Sequence, residues 1–214
     1  MIRAILFDMD GTLVNTEPFY YKRKVNYLIS KGLPHDEQLL QAYTGRMMKD
    51  LFAHIFEGNE DLITKHTQGY MEYIKEQPTD YASFLYPEVI EVLQYLKSQG
   101  YQLGLVSASM RENVYLMIEQ CHLKSYFDVV ITGSDVPKAK PDPQVYVEAM
   151  HQLGLQPSQC MVVEDSISGI QAGVLAGCKV INRRHEDQEY PKHLVIHTVD
   201  DLRELKALLT GMMR

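Results

Sequence analysis

Hydrophobic and polar positions along this chain switch repeatedly between two periods. Short apolar runs rich in β-branched residues are each followed by a pattern typical of an amphipathic helix. Strands that alternate with helices in this way predict an α/β protein, with a Rossmann-like parallel sheet that carries helices on both faces. The predicted strands are Arg3–Asp8, Leu103–Ala108, Val129–Thr132, Cys160–Asp165, Lys179–Asn182 and Leu194–His197.

Apolar residues spaced three and four apart mark the helices between these strands. Pro143 suits the first turn of one helix and Gly154 suits its end. We expect the Met and aromatic positions of the apolar stripes to lie in the core. The stripes are Val89, Val92, Leu93 and Leu96; Val114, Met117, Ile118 and Cys121; and Tyr146, Ala149, Met150 and Leu153.

Residues 15–81 interrupt the alternation of strands and helices, because their pattern predicts successive helical segments without a strand. We therefore predict an α/β core domain formed by residues 1–14 and 82–214, and an inserted all-helical cap domain formed by residues 15–81. The insertion follows the first strand directly, and parallel sheets bind ligands outside the carboxyl ends of their strands. The insertion is then expected to act as a lid, with a plain structural subdomain as the alternative.

Composition narrows the function classes. The 214 residues are 45% hydrophobic and carry a formal charge of −7, which argues against nonspecific binding to nucleic acid or to an anionic membrane. No leader-like or membrane-spanning stretch is found, and the three cysteines lie in apolar runs, so we expect a cytoplasmic protein with buried thiols. Neither GxxxxGK[ST] nor GxGxxG occurs, which weakens nucleoside-triphosphate and dinucleotide hypotheses.

The segment DMDGT places two acids where the first predicted strand ends. Asp8 and Asp10 are two positions apart, so both side chains are expected on one side of the strand. Two neighbouring carboxylates repel each other unless a cation or a proton intervenes. Oxygen ligands of this kind suit Mg²⁺, so the pair is a candidate magnesium site. A turn that caps the next helix is the alternative.

Four more polar residues lie where later strands end or helices begin. Ser107 and the N–H of Ala108 can hold anionic oxygens, although Ser107 could simply be a helix N-cap. Lys140 precedes a proline that keeps it extended, so it can reach a cleft or remain at the surface. Glu164 and Asp165 end an apolar strand, where they either complete the metal site or cap a helix.

Taken together, the segments DMDGT, VSAS, KPDP and VVEDS occur in the order and spacing of the four motifs of the haloacid dehalogenase superfamily. The chain resembles this family over essentially its full length. The helical insertion between the first two motifs resembles the type 1 cap of the branch that includes β-phosphoglucomutases and phosphatases of small phosphate esters.

The resemblance implies a mechanism. Asp8 corresponds to the nucleophile that forms an aspartyl-phosphate, and Asp10 to the acid/base. Ser107 and Lys140 correspond to the residues that bind the phosphoryl oxygens. Mg²⁺ would be held by Asp8, the Asp10 carbonyl and Asp165, and the acid matching Glu164 contacts the metal in relatives either directly or through water.

The resemblance also implies that the substrate is a small phosphorylated metabolite and that the protein has no nucleic-acid or membrane partner. The sequence carries no signal for the oligomeric state, and we expect a monomer. The cap begins with the segment NTEPFY and includes a loop similar to a substrate-specificity loop, and both regions carry candidate substrate residues. These candidates are Thr16, Tyr20, Gly45, Arg46 and Lys49.

Three functions remain open at this stage. A Mg²⁺-dependent phosphatase is favoured over a sugar-phosphate mutase, because β-phosphoglucomutases share Thr16 but carry His in place of Tyr20 and Lys-Asn in place of Met110-Arg111. A noncatalytic binding or regulatory protein is the third hypothesis. The complete set of motif residues argues against it, because a noncatalytic descendant has no chemical reason to keep them.

Overall fold

A computed structural model describes residues 1–43, 47–185 and 190–212 of the chain. Two compact units are present: Met1–Thr16 with Asp80–Arg214, and Glu17–Thr79. The α-helices are α1 Glu17–Ser30, α2 Glu37–Ala42, α3 Met48–Ile55, α4 Glu60–Lys75, α5 Val89–Ser98, α6 Arg111–Gln120, α7 Gln144–Leu153, α8 Ile167–Leu175 and α9 Glu204–Met212.

The larger unit contains a six-stranded sheet in which every described pair of strands is parallel. Its strands are β1 Ala4–Phe7, β2 Gln102–Val106, β3 Val129–Ile131, β4 Cys160–Glu164, β5 Lys179–Arg183 and β6 His197–Val199. Their spatial order is β3-β2-β1-β4-β5-β6. The predicted α/β class with a parallel sheet is therefore confirmed.

The sheet has a hydrophobic core on each face because successive strand residues point to opposite sides. Ile5 and Phe7 of β1 pack in one core with residues of α5, α6 and α9. Ala4 and Leu6 pack in the other core with residues of α7 and α8. Every residue of β1 is therefore fully buried, as is usual for the central strand of a parallel sheet.

Most predicted strands and helices are present, and the differences lie at element ends. The predicted start of the last strand, Leu194, was wrong by about three residues. Leu194 ends a 3₁₀ turn, and the strand begins only at His197. Pro143 is the residue before the first turn of α7 rather than part of it, whereas Gly154 ends that helix as predicted, with a left-handed φ of 67°. Cys121 follows α6 instead of lying within it, yet it is buried.

The three cysteines are buried and have no disulfide partners. Burial raises the pKa of the Cys160 thiol to about 11 and that of the Cys178 thiol to about 12. A thiol with such a high pKa is almost entirely protonated near neutral pH, so it is a poor nucleophile.

The smaller unit is helical and has its own core. Tyr27 of α1 packs edge-on against Tyr70 of α4, with ring centroids 5.2 Å apart, and tilted against Phe52 of α3 at 6.0 Å. All three rings are buried, and Leu28 and Ile63 complete the same cluster. The assignment of residues 15–81 to a cap over the site stays a prediction. None of the helices in the described ranges has both the length and the apolar character of a membrane span.

Replacing Leu93 of α5 with alanine tests the core on the α5 face. Leu93 is fully buried, so Leu93→Ala should lower the free energy of unfolding by about 2–5 kcal/mol. Ile90→Ala on the same helix is the matched control, because Ile90 is 39% exposed and its replacement should cost less than about 1 kcal/mol. Urea unfolding measures both variants, and equal losses would contradict this packing.

Candidate active site

The candidate site lies at the carboxyl ends of three adjacent strands. β1 pairs with β2 on one side and with β4 on the other, so the chain reverses its direction of strand addition at β1. Such a switch point is where open parallel sheets bind ligands. Asp8 follows β1, Ser107 follows β2 and Glu164 ends β4.

Lys140 connects all three of these strands. Its Nζ donates to Asp8 Oδ1 at 2.6 Å, to Glu164 Oε1 at 2.7 Å and to the carbonyl oxygen of Val106 at 2.9 Å. The Lys140 side chain is only 3% exposed. Burial alone would lower the pKa of Lys140, but the charges of Asp8 and Glu164 raise it well above its usual value. Lys140 is thus a charged ammonium whose three N–H donors all have acceptors.

Glu164 is fully buried and has hydrogen-bond partners on both carboxylate oxygens. Oε1 accepts from Lys140 and from the hydroxyl of Tyr146, the latter at 3.0 Å. Oε2 accepts from the backbone N–H groups of Asp165 and Ser166 and from the Ser166 hydroxyl, each at 3.0 Å. This set of donors satisfies the charge of a buried carboxylate. It also fixes the carboxylate against Lys140.

Two glycines leave space for Glu164, which ends β4, and for Asp165, which follows it. Gly11 has a φ of +82°, and a Cβ on it would overlap the Asp165 carboxylate. A Cβ on Gly169 of α8 would overlap the carboxylate of Glu164 in the same way. The backbone therefore approaches both acids more closely than any other residue type would allow.

Asp165 has a second set of neighbours. His185 Nε2 lies 3.4 Å from Asp165 Oδ2 and 2.9 Å from the carbonyl oxygen of Gly11. The hydrogen bond to Asp165 raises the pKa of His185 despite its partial burial. The Thr12 hydroxyl donates a long hydrogen bond, 3.5 Å, to Asp165 Oδ1.

A buried ion pair supports the loop after β1. Arg183 Nη2 lies 2.8 Å from Glu88 Oε1, and Nη1 donates to the Thr12 carbonyl oxygen at 3.0 Å. The guanidinium also lies over the Tyr86 ring, 3.5 Å from its centroid. Removing one partner of such a buried pair leaves an uncompensated charge, so Arg183 and Glu88 depend on each other.

Asp10 has different partners from Asp8. Its Oδ1 accepts from the Thr16 hydroxyl at 2.6 Å and its Oδ2 from the Ser109 hydroxyl at 2.8 Å. Met9 between the two acids is fully buried in the core. Ser107 Oγ accepts from the N–H of Ser109 at 3.0 Å, which leaves its own O–H hydrogen to donate. Asp10 is therefore oriented by two hydroxyl groups.

The described acids include one cluster that fits a metal ion. Asp8, Glu164 and Asp165 each offer an oxygen, and these three oxygens lie within 4.8 Å of one another. Burial, reinforced by the charge of Glu164, raises the pKa of Asp8, while Lys140 opposes this shift. Three carboxylates against one ammonium leave excess negative charge, and an all-oxygen donor set suits a hard cation. The Asp10 carboxylate belongs to the neighbouring hydroxyl network instead.

The larger unit thus gathers most of the predicted site residues at one edge of the sheet. Ala108 is exposed directly after Ser107, at the approach to α6. In the helical unit, Tyr20 is half-buried on α1 and Lys49 is exposed on α3. Gly45 and Arg46 lie outside the described residues. The roles of all these residues stay predictions.

Several contacting residues were missed from the sequence. Tyr146 was assigned only to the apolar stripe of α7, yet its hydroxyl contacts Glu164. A buried tyrosine hydroxyl needs a hydrogen-bond partner, and that requirement was a usable signal. Ser109, Arg183 and His185 gave no comparable signal, because the hydrogen bonds that tie them to Asp10, Thr12 and Gly11 span more than 90 positions in sequence.

The parallel sheet, its carboxyl-edge acids and the buried lysine define an α/β protein with a charged site at the switch point of its sheet. A family model described as haloacid dehalogenase-like hydrolase matches residues 5–182. The chain belongs to this family. The predicted superfamily membership is therefore confirmed.

Similar proteins include named phosphatases. A phosphorylated carbohydrates phosphatase of Thermotoga maritima is 30% identical over 84% of each chain. A pyrophosphatase PpaX of Bacillus mycoides is 29% identical over 98% of this chain and 99% of the relative. The crystal structure of a β-phosphoglucomutase from Clostridium difficile is similar in fold, with a TM-score of 0.78 and 20% identity, and covers 99% of this chain and 96% of that one.

Gly11→Ala tests the close approach of Gly11 to Asp165. Gly100→Ala is a matched control, because Gly100 also has a φ of +82° but has nothing within 4 Å of an added Cβ. Backbone strain should lower the free energy of unfolding of both variants by about 1–2 kcal/mol. Gly11→Ala should lose about 1–3 kcal/mol more, because the Asp165 carboxylate must move. Urea unfolding in the presence of a metal chelator measures the difference, and equal losses would rule out the close approach.

Proposed function

We propose that this chain is a phosphatase that hydrolyses a small phosphate monoester through an aspartyl-phosphate on Asp8, with Mg²⁺ as cofactor. The observation that carries this proposal is the contact of Lys140 with Asp8 and Glu164 at the switch point of the sheet. Membership of a hydrolase family and the phosphatases among its relatives support the same function.

Asp8 is the proposed nucleophile. Lys140 holds its Oδ1, and the Asp8 side chain keeps 10% of its surface exposed, so the carboxylate can meet a substrate phosphorus atom. Covalent attack divides a difficult displacement into two easier steps. Attack by Asp8 would form the bond to phosphorus as the alcohol oxygen leaves, and water would then release phosphate and regenerate the carboxylate.

Asp10 is the proposed acid/base. In the first step it gives a proton to the leaving oxygen, and in the second it takes one from the attacking water. Thr16 and Ser109 hold its two oxygens and so set the direction of proton transfer. A positioned proton donor contributes typically about 10²–10⁴-fold to such a reaction.

Lys140, Ser107 and Ala108 are proposed to stabilise the phosphoryl oxygens. The three N–H groups of Lys140 already have protein acceptors, so we infer that Lys140 acts mainly by its charge and by orienting Asp8. The free O–H hydrogen of Ser107 and the N–H of Ala108 would supply hydrogen bonds. Donors fixed before the reaction stabilise developing negative charge without reorganising.

The proposed metal ligands are Asp8, Asp165 and the Asp10 carbonyl. Mg²⁺ supplies positive charge that offsets the charge of the carboxylates and of the transferring phosphoryl group. Glu164 was also predicted at the metal, directly or through water. Its five hydrogen bonds favour the indirect alternative, in which Glu164 orients Lys140.

The proposed substrate is a small phosphorylated metabolite, with sugar phosphates as the leading class. The named relative that acts on phosphorylated carbohydrates supports this class. Thr16 lies in the Asp10 network, and Tyr20 and Lys49 of the helical unit remain candidate substrate residues.

Hydrolysis of p-nitrophenyl phosphate tests the proposed function. The purified protein should release p-nitrophenol with Mg²⁺ and lose activity with a chelator. Asp8→Asn should lower kcat by more than about 10³-fold, because the amide is not a nucleophile. Asp61→Asn, at an exposed position of α4, is the control and should retain activity. Absence of Mg²⁺-dependent release from every phosphate ester in a metabolite panel would favour the noncatalytic hypothesis.

Product analysis separates hydrolysis from phosphoryl migration. β-Glucose 1-phosphate with a trace of glucose 1,6-bisphosphate should yield inorganic phosphate faster than glucose 6-phosphate. The reason is that this chain has Tyr20, Met110 and Arg111 where β-phosphoglucomutases carry other residues. Coupled assays for both products give the two rates. Isomerisation much faster than phosphate release would replace the phosphatase proposal with the mutase.

A further inference from the structure

The helical unit contains a cleft of about 290 Å³, lined by residues of α1, α3 and α4. We call it the Arg23 cleft. Its polar lining consists mainly of Glu17, Arg23, Lys24, Lys49, Thr67 and Tyr70, and methionine side chains supply most of the apolar lining. No step of the proposed reaction uses Arg23, Lys24 or Thr67.

Arg23 is a cation without an acidic partner among the described residues. Its guanidinium lies over the rings of Phe19 and Tyr20, at 5.1 and 4.9 Å from their centroids. Nη1 makes one long hydrogen bond, 3.5 Å, to the Thr79 hydroxyl. Nε is buried and has no hydrogen-bond partner within the described part of the chain. A buried donor left unpaired is costly, so the site is incomplete without an acceptor.

A second polar atom of a residue that lines the cleft is also buried and unpaired within the described ranges. Thr67 Oγ1 on α4 is buried, and none of the residues that the structure describes makes a hydrogen bond with it. Arg23 on α1 and Thr67 on α4 thus both line the cleft, and each has a buried polar atom that needs a hydrogen-bond partner. Together with the cations, they select a ligand that offers oxygen acceptors.

The charge of the cleft points to an anion. Arg23, Lys24 and Lys49 provide three positive charges against the single carboxylate of Glu17. Burial lowers the pKa of Lys24, and Glu17 offsets that shift only in part. An added anion would restore the balance. A guanidinium is also the group that best matches the two oxygens of a carboxylate or a phosphate.

We propose that the Arg23 cleft is a binding site for an oxyanion, a carboxylate or a phosphate group, with Arg23 as its central contact. The group has two possible sources: a second anionic group of the substrate, or a free anion that binds the helical unit independently. The binding itself does not depend on the proposed function, whereas assignment to the substrate rests on it.

Malonate, a dicarboxylate without phosphorus, is the first probe. Titrated into the full-length protein, it should cause a saturable shift of the Arg23 Nε–H resonance and a measurable heat of binding. Arg23→Gln should weaken binding about 10-fold or more, because a charge-assisted hydrogen bond is lost. Arg203→Gln is the matched control, because Arg203 is a surface guanidinium paired with Glu91 and Asp201. It should leave the affinity unchanged.

Lys49→Gln keeps the test decisive if Arg23→Gln does not fold. Lys49 is exposed, so its replacement should preserve the fold and weaken malonate binding about 3-fold. No saturable shift in the wild-type protein would overturn the proposal, as would equal affinity in wild type and Arg23→Gln.

Kinetics then distinguish the two sources. If the anion belongs to the substrate, Arg23→Gln should raise KM about 10-fold for 2-phosphoglycolate, which carries a carboxylate, and leave KM for p-nitrophenyl phosphate unchanged. If a free anion binds, Arg23→Gln should change KM equally for the two substrates, and malonate binding should still be lost. A protein that binds malonate but hydrolyses neither ester would contradict the phosphatase proposal and leave the anion site supported.

Discussion

The buried ammonium of Lys140 is the contact on which the candidate site depends. It joins Asp8 after β1 to Glu164 at the end of β4, and it also binds the carbonyl oxygen of Val106 on β2. Without this charge, two buried carboxylates would face each other in a region of low dielectric. Residues of three strands thus contact one cation. Lys140 orients Asp8, whereas the contacts described for Asp10 and Asp165 are with other residues.

The parallel sheet makes this contact possible. Because β1 is flanked by β2 and β4, the residues that follow these strands converge even though they are far apart in sequence. Packing then refines the arrangement: Tyr146 from the buried face of α7 reaches Glu164, while Gly11 and Gly169 leave space for the acids. The same chain builds a separate helical core, and beside it Arg23, whose Nε has no hydrogen-bond partner among the described residues, lines a cleft.

The sequence predicts the strands and the charged motif residues well, because both follow local rules. Asp8 and Glu164 each end an apolar run, and a strand end is visible in the periodicity. Tyr146 was predicted as a core position, but periodicity identifies only the buried face and not the partner of a hydroxyl group. Arg183 was missed because the predicted strand stopped at Asn182, and its partners Glu88 and Thr12 are brought close only by the tertiary fold.

The central claim is that, among the neighbouring acids, Asp8 accepts the phosphoryl group. Borohydride reduction during turnover tests it most directly, because it converts an aspartyl-phosphate into homoserine, which peptide mass spectrometry can locate. The account predicts substrate-dependent homoserine at position 8, and none at positions 10 or 165. Homoserine at another acid, or none at any position while phosphate is still released, would contradict the assignment of Asp8 as the nucleophile.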